Sequence, residues 1–123
     1  MNTFYAVKVE SKPKPGEEIE RAFMHVLCDS KQKPVPGIVI TGVYGDVRAS
    51  SDRYPFIILK DGQGDYGSCA EGAPDRFFQT TFREQTIKTG EYFTTTSCDP
   101  DQPAREIATT YVIVGVTPLA GHL

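Results

Sequence analysis

The chain has 123 residues, a formal net charge of −3, and 39% hydrophobic against 24% charged residues; that supports one core and excludes two ordinary domains. An acidic balance with a pI near 5.3 offers no long-range attraction to phosphate backbones or anionic lipid, so nucleic acid and membrane surfaces are set aside as partners. No apolar run approaches the roughly 20 residues of a membrane-spanning helix, and residues 1–11 lack the basic start and apolar centre of a secretory signal.

Residues 3–9 alternate, with Tyr5, Val7 and Val9 on one side and Phe4, Ala6 and Lys8 on the other, the period of a strand. Residues 11–16, Ser-Lys-Pro-Lys-Pro-Gly, read as a connector. Within residues 17–30, Ile19, Phe23, Val26 and Leu27 fall on one helical face. Acidic residues open this stretch and Lys31 and Lys33 follow it, matching the helix dipole at both ends. The expectation is a helix. The competing reading is a strand with Ala22, Met24, Val26 and Cys28 inward, paired with the first strand.

After a Pro and Gly connector at 31–37, the β-branched run 38–43 and the apolar run 54–60 read as strands, with Pro55 at the entry of the second. Residues 61–75 read as a long glycine-rich loop. Residues 77–82, 86–88 and 91–97 read as a meander, with Thr89-Gly90 as a tight break. A Pro and Asp loop at 98–105 precedes a last long strand at 107–117 and a loose tail. No internal repeat or domain linker is apparent, so residues 1–123 are read as a single globular domain.

The expected fold is α+β, a mainly antiparallel sheet of about five to seven strands with the 17–30 helix packed on one face. That helix would bury Ile19, Phe23, Val26 and Leu27 against Ile40, Ile58 and Val112, so that removing Phe23 costs about 3 kcal/mol. An all-β barrel or sandwich is the alternative.

Several motifs carry a chemical reading and a plainer one. Gly62-Gln63-Gly64-Asp65-Tyr66-Gly67 fits a dinucleotide fingerprint, but Gly72, Ala73 and Pro74 leave no room for the phosphate-binding helix. Asp61, Gln63 and Asp65 echo a calcium loop whose glycine and terminal glutamate are missing. His25 and Cys28, with Cys69 and Cys98, have the residue types for zinc but not the close paired spacing. The three cysteines are odd in number and widely spread, and are read as reduced thiols of a cytoplasmic protein. A thiol nucleophile paired with His25 or His122 lacks an orienting group and an oxyanion hole. Asp99, Asp101, Glu106, Asp46, Asp52 and Asp75 sit beside turn residues, where a carboxylate ordinarily bonds nearby amides. The arginine and aromatic pairs at Arg53-Tyr54, Arg76-Phe77-Phe78 and Phe82-Arg83 are read as core rings beside solvent-facing cations rather than as a base-stacking platform.

These readings point to a non-enzymatic binding or interaction module with no cofactor and no metal, self-associating through strand edges and taking a small molecule or a protein partner. Its ligand surface is placed on the 61–76 loop, at Asp61, Asp65, Tyr66 and Arg76. The rival classes are a small hydrolase or isomerase using loop carboxylates in a cleft, and a small-molecule carrier.

Overall fold

The computed structural model describes residues 4–14, 21–45, 54–66, 77–98 and 105–119. Strands β1 (Tyr5–Pro13), β2 (Ala22–Cys28), β3 (Ile40–Tyr44), β4 (Tyr54–Ile58), β5 (Gln63–Asp65), β6 (Phe77–Thr80), β7 (Tyr92–Cys98) and β8 (Glu106–Pro118) follow one another along the chain. Each pairs antiparallel with the next, and β8 returns to pair with β1, closing an eight-stranded up-and-down barrel. Closure gives every strand a partner on both sides and removes the sheet edges an open meander would leave.

This architecture overturns the α+β expectation: the described residues contain no α-helix, only one 3-10 turn at Phe82–Glu84. The segment expected to be helical carries β2 instead. Its burial alternates strictly, with Ala22, Met24, Val26 and Cys28 inside and Phe23, His25 and Leu27 facing out. Seven residues of β1 pair with it, from Tyr5 opposite Cys28 to Ser11 opposite Ala22, and β3 pairs along its other side. The two apolar patterns in this stretch compete. The strand pattern wins because ladders on both sides satisfy its backbone while its inward residues enter a shared core. Phe23 is therefore not a core residue, and the Lys8 ammonium lies 5.4 Å from its ring centroid on the outer surface. Ile40 and Ile58 are buried as expected, whereas Val112 is only partly so.

Smaller differences have the same origin. β1 runs past residue 9 to Pro13, with a bulge between Glu10 and Ser11, and the buried Ser11 hydroxyl donates to the Ala22 carbonyl at 3.2 Å. The expected 61–75 loop contains β5, and Gly62 turns the chain into it with φ +87°. Residues 86–88 are not a strand; Ile87 is buried, and its amide donates to the Gln32 carbonyl at 2.7 Å.

In an up-and-down barrel, successive connections alternate between two rims. The β2–β3, β4–β5 and β6–β7 connections share the lower rim, and the opposite ends of the strands mark the upper one. The lower end is sealed. Phe82 is fully buried, edge-on to Phe93 with centroids 5.0 Å apart, and Phe93 stacks on Tyr111 at 5.2 Å. Arg83, beside the seal, donates through Nε to the Leu59 carbonyl at 2.7 Å and through Nη2 to the carbonyls of Ile58, at 3.1 Å, and Ile38. One guanidinium thus ties the ends of two connections to a third, which its fixed fork of donors suits. Replacing Arg83 with Met should cost about 2 kcal/mol, read as a lowered urea midpoint, and Lys should recover less than half of it. An unchanged midpoint would make this clasp incidental to stability.

Candidate aromatic site at the upper rim

The interior changes character along the barrel axis. Around Val7, Val9, Met24, Val26, Ile40, Ile58 and Ile113 it is aliphatic, whereas towards the upper rim it is built from rings and hydroxyls. Tyr44 ends β3, Phe56 lies on β4, Tyr66 follows the last residue of β5, and Phe78 lies on β6. Tyr44 stacks on Phe56 at 4.5 Å, and Tyr66 lies 4.9 Å from Phe78, 5.9 Å from Tyr44 and 6.4 Å from Phe56, centroid to centroid.

Two glycines make this packing possible. Gly42 pairs with Phe56 and Gly64 with Phe78, and each ring lies across the bare glycine of its partner strand. Both glycines stand two residues before an inward tyrosine, in Gly42-Val43-Tyr44 and Gly64-Asp65-Tyr66. Since alternate strand residues share a face, each hairpin presents the same inward set: a glycine, a tyrosine beyond it, and a phenylalanine opposite.

The Tyr44 hydroxyl sits in a hydrogen-bonded group with Tyr66, Tyr111 and Thr95. The Thr95 hydroxyl in turn donates to Thr80 Oγ1 at 3.3 Å, which accepts the Phe82 amide at 3.2 Å, so a run of polar contacts reaches from the rim to the lower seal. Burial, reinforced by Tyr111, pushes the Tyr44 phenol far above its ordinary range. Tyr44 is therefore a neutral hydroxyl, not a general base.

The four residues expected to form a ligand surface do not converge. Asp61 lies at the lower rim, where its Oδ1 accepts the Gln63 amide at 3.0 Å in an ordinary turn. Asp65 pairs with Ile57 and Phe77 and points outward, Tyr66 points into the ring cluster at the upper rim, and Arg76 lies outside the described residues. Tyr44, Phe56 and Tyr111 were not singled out by the sequence reading and Phe78 was read only as a core ring beside Arg76, although the repeated Gly-x-Tyr was a usable signal for the cluster.

Of the other motif residues, Cys69, His122 and most of the turn carboxylates lie outside the described residues, and those described separate in space. His25 is exposed on the outer face of β2 and Cys28 buried on the inner face, so they cannot share a metal ion. Asp61 lies in the turn before β5 and Asp65 is its last residue, so the extended strand separates them instead of curling them round one point. Asp29, beside Cys28, accepts the amides of Lys31 at 2.8 Å and Lys33 at 3.1 Å and shapes a turn. Among the described residues no group of three or more His, Cys, Asp or Glu side chains could hold a metal. Burial, and secondarily Asp29, pushes the Cys28 thiol up to about 11.

A thiol held so high is no nucleophile at neutral pH. In the folded protein Cys28 should resist iodoacetamide at pH 7.5 and become alkylated only under denaturing conditions, as peptide mass mapping would report. Its folded value lies above the ordinary 9.0, so the linked stability is complete below pH 9 and disappears as pH rises towards 11. No family model, curated protein or solved structure matches the chain.

Proposed function

We propose that this protein is a non-enzymatic binding module that recognises its ligand at the upper rim of the barrel. The observation that carries the reading is the contrast between the two ends. The lower one is closed by Phe82 and Ile87 and tied by Arg83, while among the described residues the interior towards the upper one gathers neutral hydroxyls and aromatic faces. Rings with a few convergent polar groups are the usual lining of small-molecule sites.

Support for the rival readings is thinner. Of the carboxylates on which a hydrolase or isomerase would rest, Asp46, Asp52, Asp75, Asp99 and Asp101 lie outside the described residues, and Asp61 of the glycine-rich loop is occupied as a turn former. The interior is filled by its own side chains, which disfavours a carrier that encloses its cargo, as larger-bore barrels can. Self-association stays in the proposal, but its support shifts from strand edges, which closure removes, to outward apolar side chains such as Phe77 and Tyr92, 42% and 53% exposed. Lys8, Lys12 and His25 are exposed on the outer wall and support a barrel that faces water, in keeping with the cytoplasmic expectation.

The test is an amide and aromatic NMR screen of the folded protein against a panel of nucleosides, sugars, amino acids and simple phenols. Shifts clustered at Tyr44, Tyr66, Phe78 and Tyr111 are the expected result. Shifts confined to the lower rim around Ile38, Leu59 and Arg83, or none from any compound, would overturn the reading.

A further inference from the structure

We infer that two copies of this chain pair about a two-fold axis through the lower rim, Ile38 of each copy entering a groove between Val39 and Leu59 of the other. The inference rests on the self-association kept in the proposed function and deepens it by naming the surface.

The three connections that build the lower rim lie within the described residues. Residues 35–38, Val-Pro-Gly-Ile, turn through Gly37 at φ +81° with proline before it, the signature of a type II turn. The Val35 amide anchors this turn on the Leu27 carbonyl at 2.9 Å. Gly37 and Val39 form one wall of an open groove of about 260 Å³, and Leu59, Lys60 and Asp61 form the other. Arg83 holds both walls, bonding the Ile38 carbonyl on one side and the Leu59 carbonyl, at 2.7 Å, on the other. The groove is therefore preformed, and filling it does not first cost the ordering of a wall.

The side chain that fits the groove stands beside it. Ile38 lies between two lining residues without lining the groove itself, and it is 45% exposed. With Val39, 46% exposed, it makes the one pair of large exposed apolar residues adjacent in sequence among the described residues. A knob and a groove side by side on one surface complement each other when that surface meets its own copy across a two-fold axis. The charges at the groove mouth obey the same rule. Lys60 and Asp61 are exposed neighbours of opposite sign, so the axis sets Lys60 of each copy against Asp61 of the other. Asp61 also faces its own Arg83 and keeps its turn bond to the Gln63 amide. Lys60-Asp61 and Arg83-Glu84 leave the rim nearly balanced in a chain of net charge −3, so two copies approach there with little repulsion. A partner of one charge sign would meet a favourable and an unfavourable group at the mouth, whereas a second copy satisfies both.

The patch is small against the roughly 1,200 Å² of a stable interface, so the dimer forms only at high protein concentration. Sedimentation velocity of the full chain, up to about 1 mM, reads it. The native chain should dimerise, and Ile38→Ser should weaken the dimer at least about tenfold, because the contact is lost twice. Lys60→Glu and Asp61→Lys should each be monomeric alone, since like charges then face each other, and should pair when mixed one to one. If Asp61→Lys, which also loses the turn bond, fails to fold by urea denaturation, Ile38→Ser and Lys60→Glu decide. A native dimer unweakened by either of those two, or a mixture of the folded charge variants that stays monomeric, overturns the inference. If Tyr92→Ser abolishes the dimer instead, self-association stands on the outer wall and only the rim interface is lost. A native chain that stays monomeric throughout overturns self-association as well, while the ligand screen still decides the upper rim.

Discussion

Phe82→Ala is expected to lower stability by about 4 kcal/mol, and Phe23→Ala by no more than about 1 kcal/mol. Phe23 stands between the apolar Ala22 and Met24 and Phe82 between the polar Thr81 and Arg83, so local sequence and the helical reading alike rank Phe23 as the core residue. Their environments reverse that order. Phe82 is fully buried at the lower end, packed edge-on to Phe93, and its amide is held by Thr80 Oγ1. Truncation there leaves a cavity roofed by Phe93 and Tyr111, which are stacked on each other and poorly placed to collapse into it. Phe23 lies on the outer wall beside Lys8, so its loss removes partial burial and one exposed cation–π contact. Urea denaturation of the two variants measures the difference. The opposite ranking would mean that β2 presents its other face to the core.

The second large effect is expected at a glycine. A Cβ at Gly64 would stand 1.9 Å from the Phe78 ring, well inside contact distance, and Phe78 is hemmed in by Phe56, Tyr66 and Tyr44. Gly64→Ala should therefore cost about 3 kcal/mol, the upper range for overpacking, and lower Tm by about 10 °C. Gly115→Ala is the control, because a Cβ there meets only Glu10, at 3.8 Å, and should change stability by less than about 0.5 kcal/mol. Adding Phe78→Leu to Gly64→Ala should restore about 1 kcal/mol, since the smaller side chain vacates the space the new methyl needs. A Gly64→Ala variant as stable as the native chain would show that Phe78 has another place to go. The same reasoning extends to Gly42, where a Cβ would fall 2.3 Å from the Phe56 ring.

Much of the barrel was legible strand by strand. The alternation of Tyr5, Val7 and Val9 located β1 and its inward face, and the β-branched and aromatic runs located the cores of β3, β4, β6, β7 and β8. Two kinds of error arose where local pattern was insufficient. β5 is only three residues long, with Gly64 at its centre, and no local preference marks such a segment as a strand; it is one because β4 and β6 pair with it on either side. Residues 86–88 have strand-like composition, yet Ile87 is drawn into the lower seal by burial and by its bond to Gln32.

The candidate site was legible only in part. Tyr66 was named, but for its place in a supposed loop, and it was grouped with Asp61, which lies at the other end of the barrel. A strand reverses the chain's position along the barrel axis within a few residues, so neighbours in sequence such as Asp61 and Tyr66 end on opposite rims. Residues far apart in sequence, such as Tyr44 and Tyr111, meet with ring centroids 6.1 Å apart.

By itself the sequence determined that this is a strand-forming chain with one apolar core, because composition and period-2 alternation act locally and need no partner. It left residues 17–30 between two patterns, since Val26 belongs to both the helical face and the strand face. Only the tertiary structure decided that contest and the closure of β8 on β1, because both depend on hydrogen bonds and burial supplied by strands distant in sequence. The ring cluster at the upper rim was decided in the same way: the glycines and aromatics are written in the chain, but closure brings them to one end of the barrel.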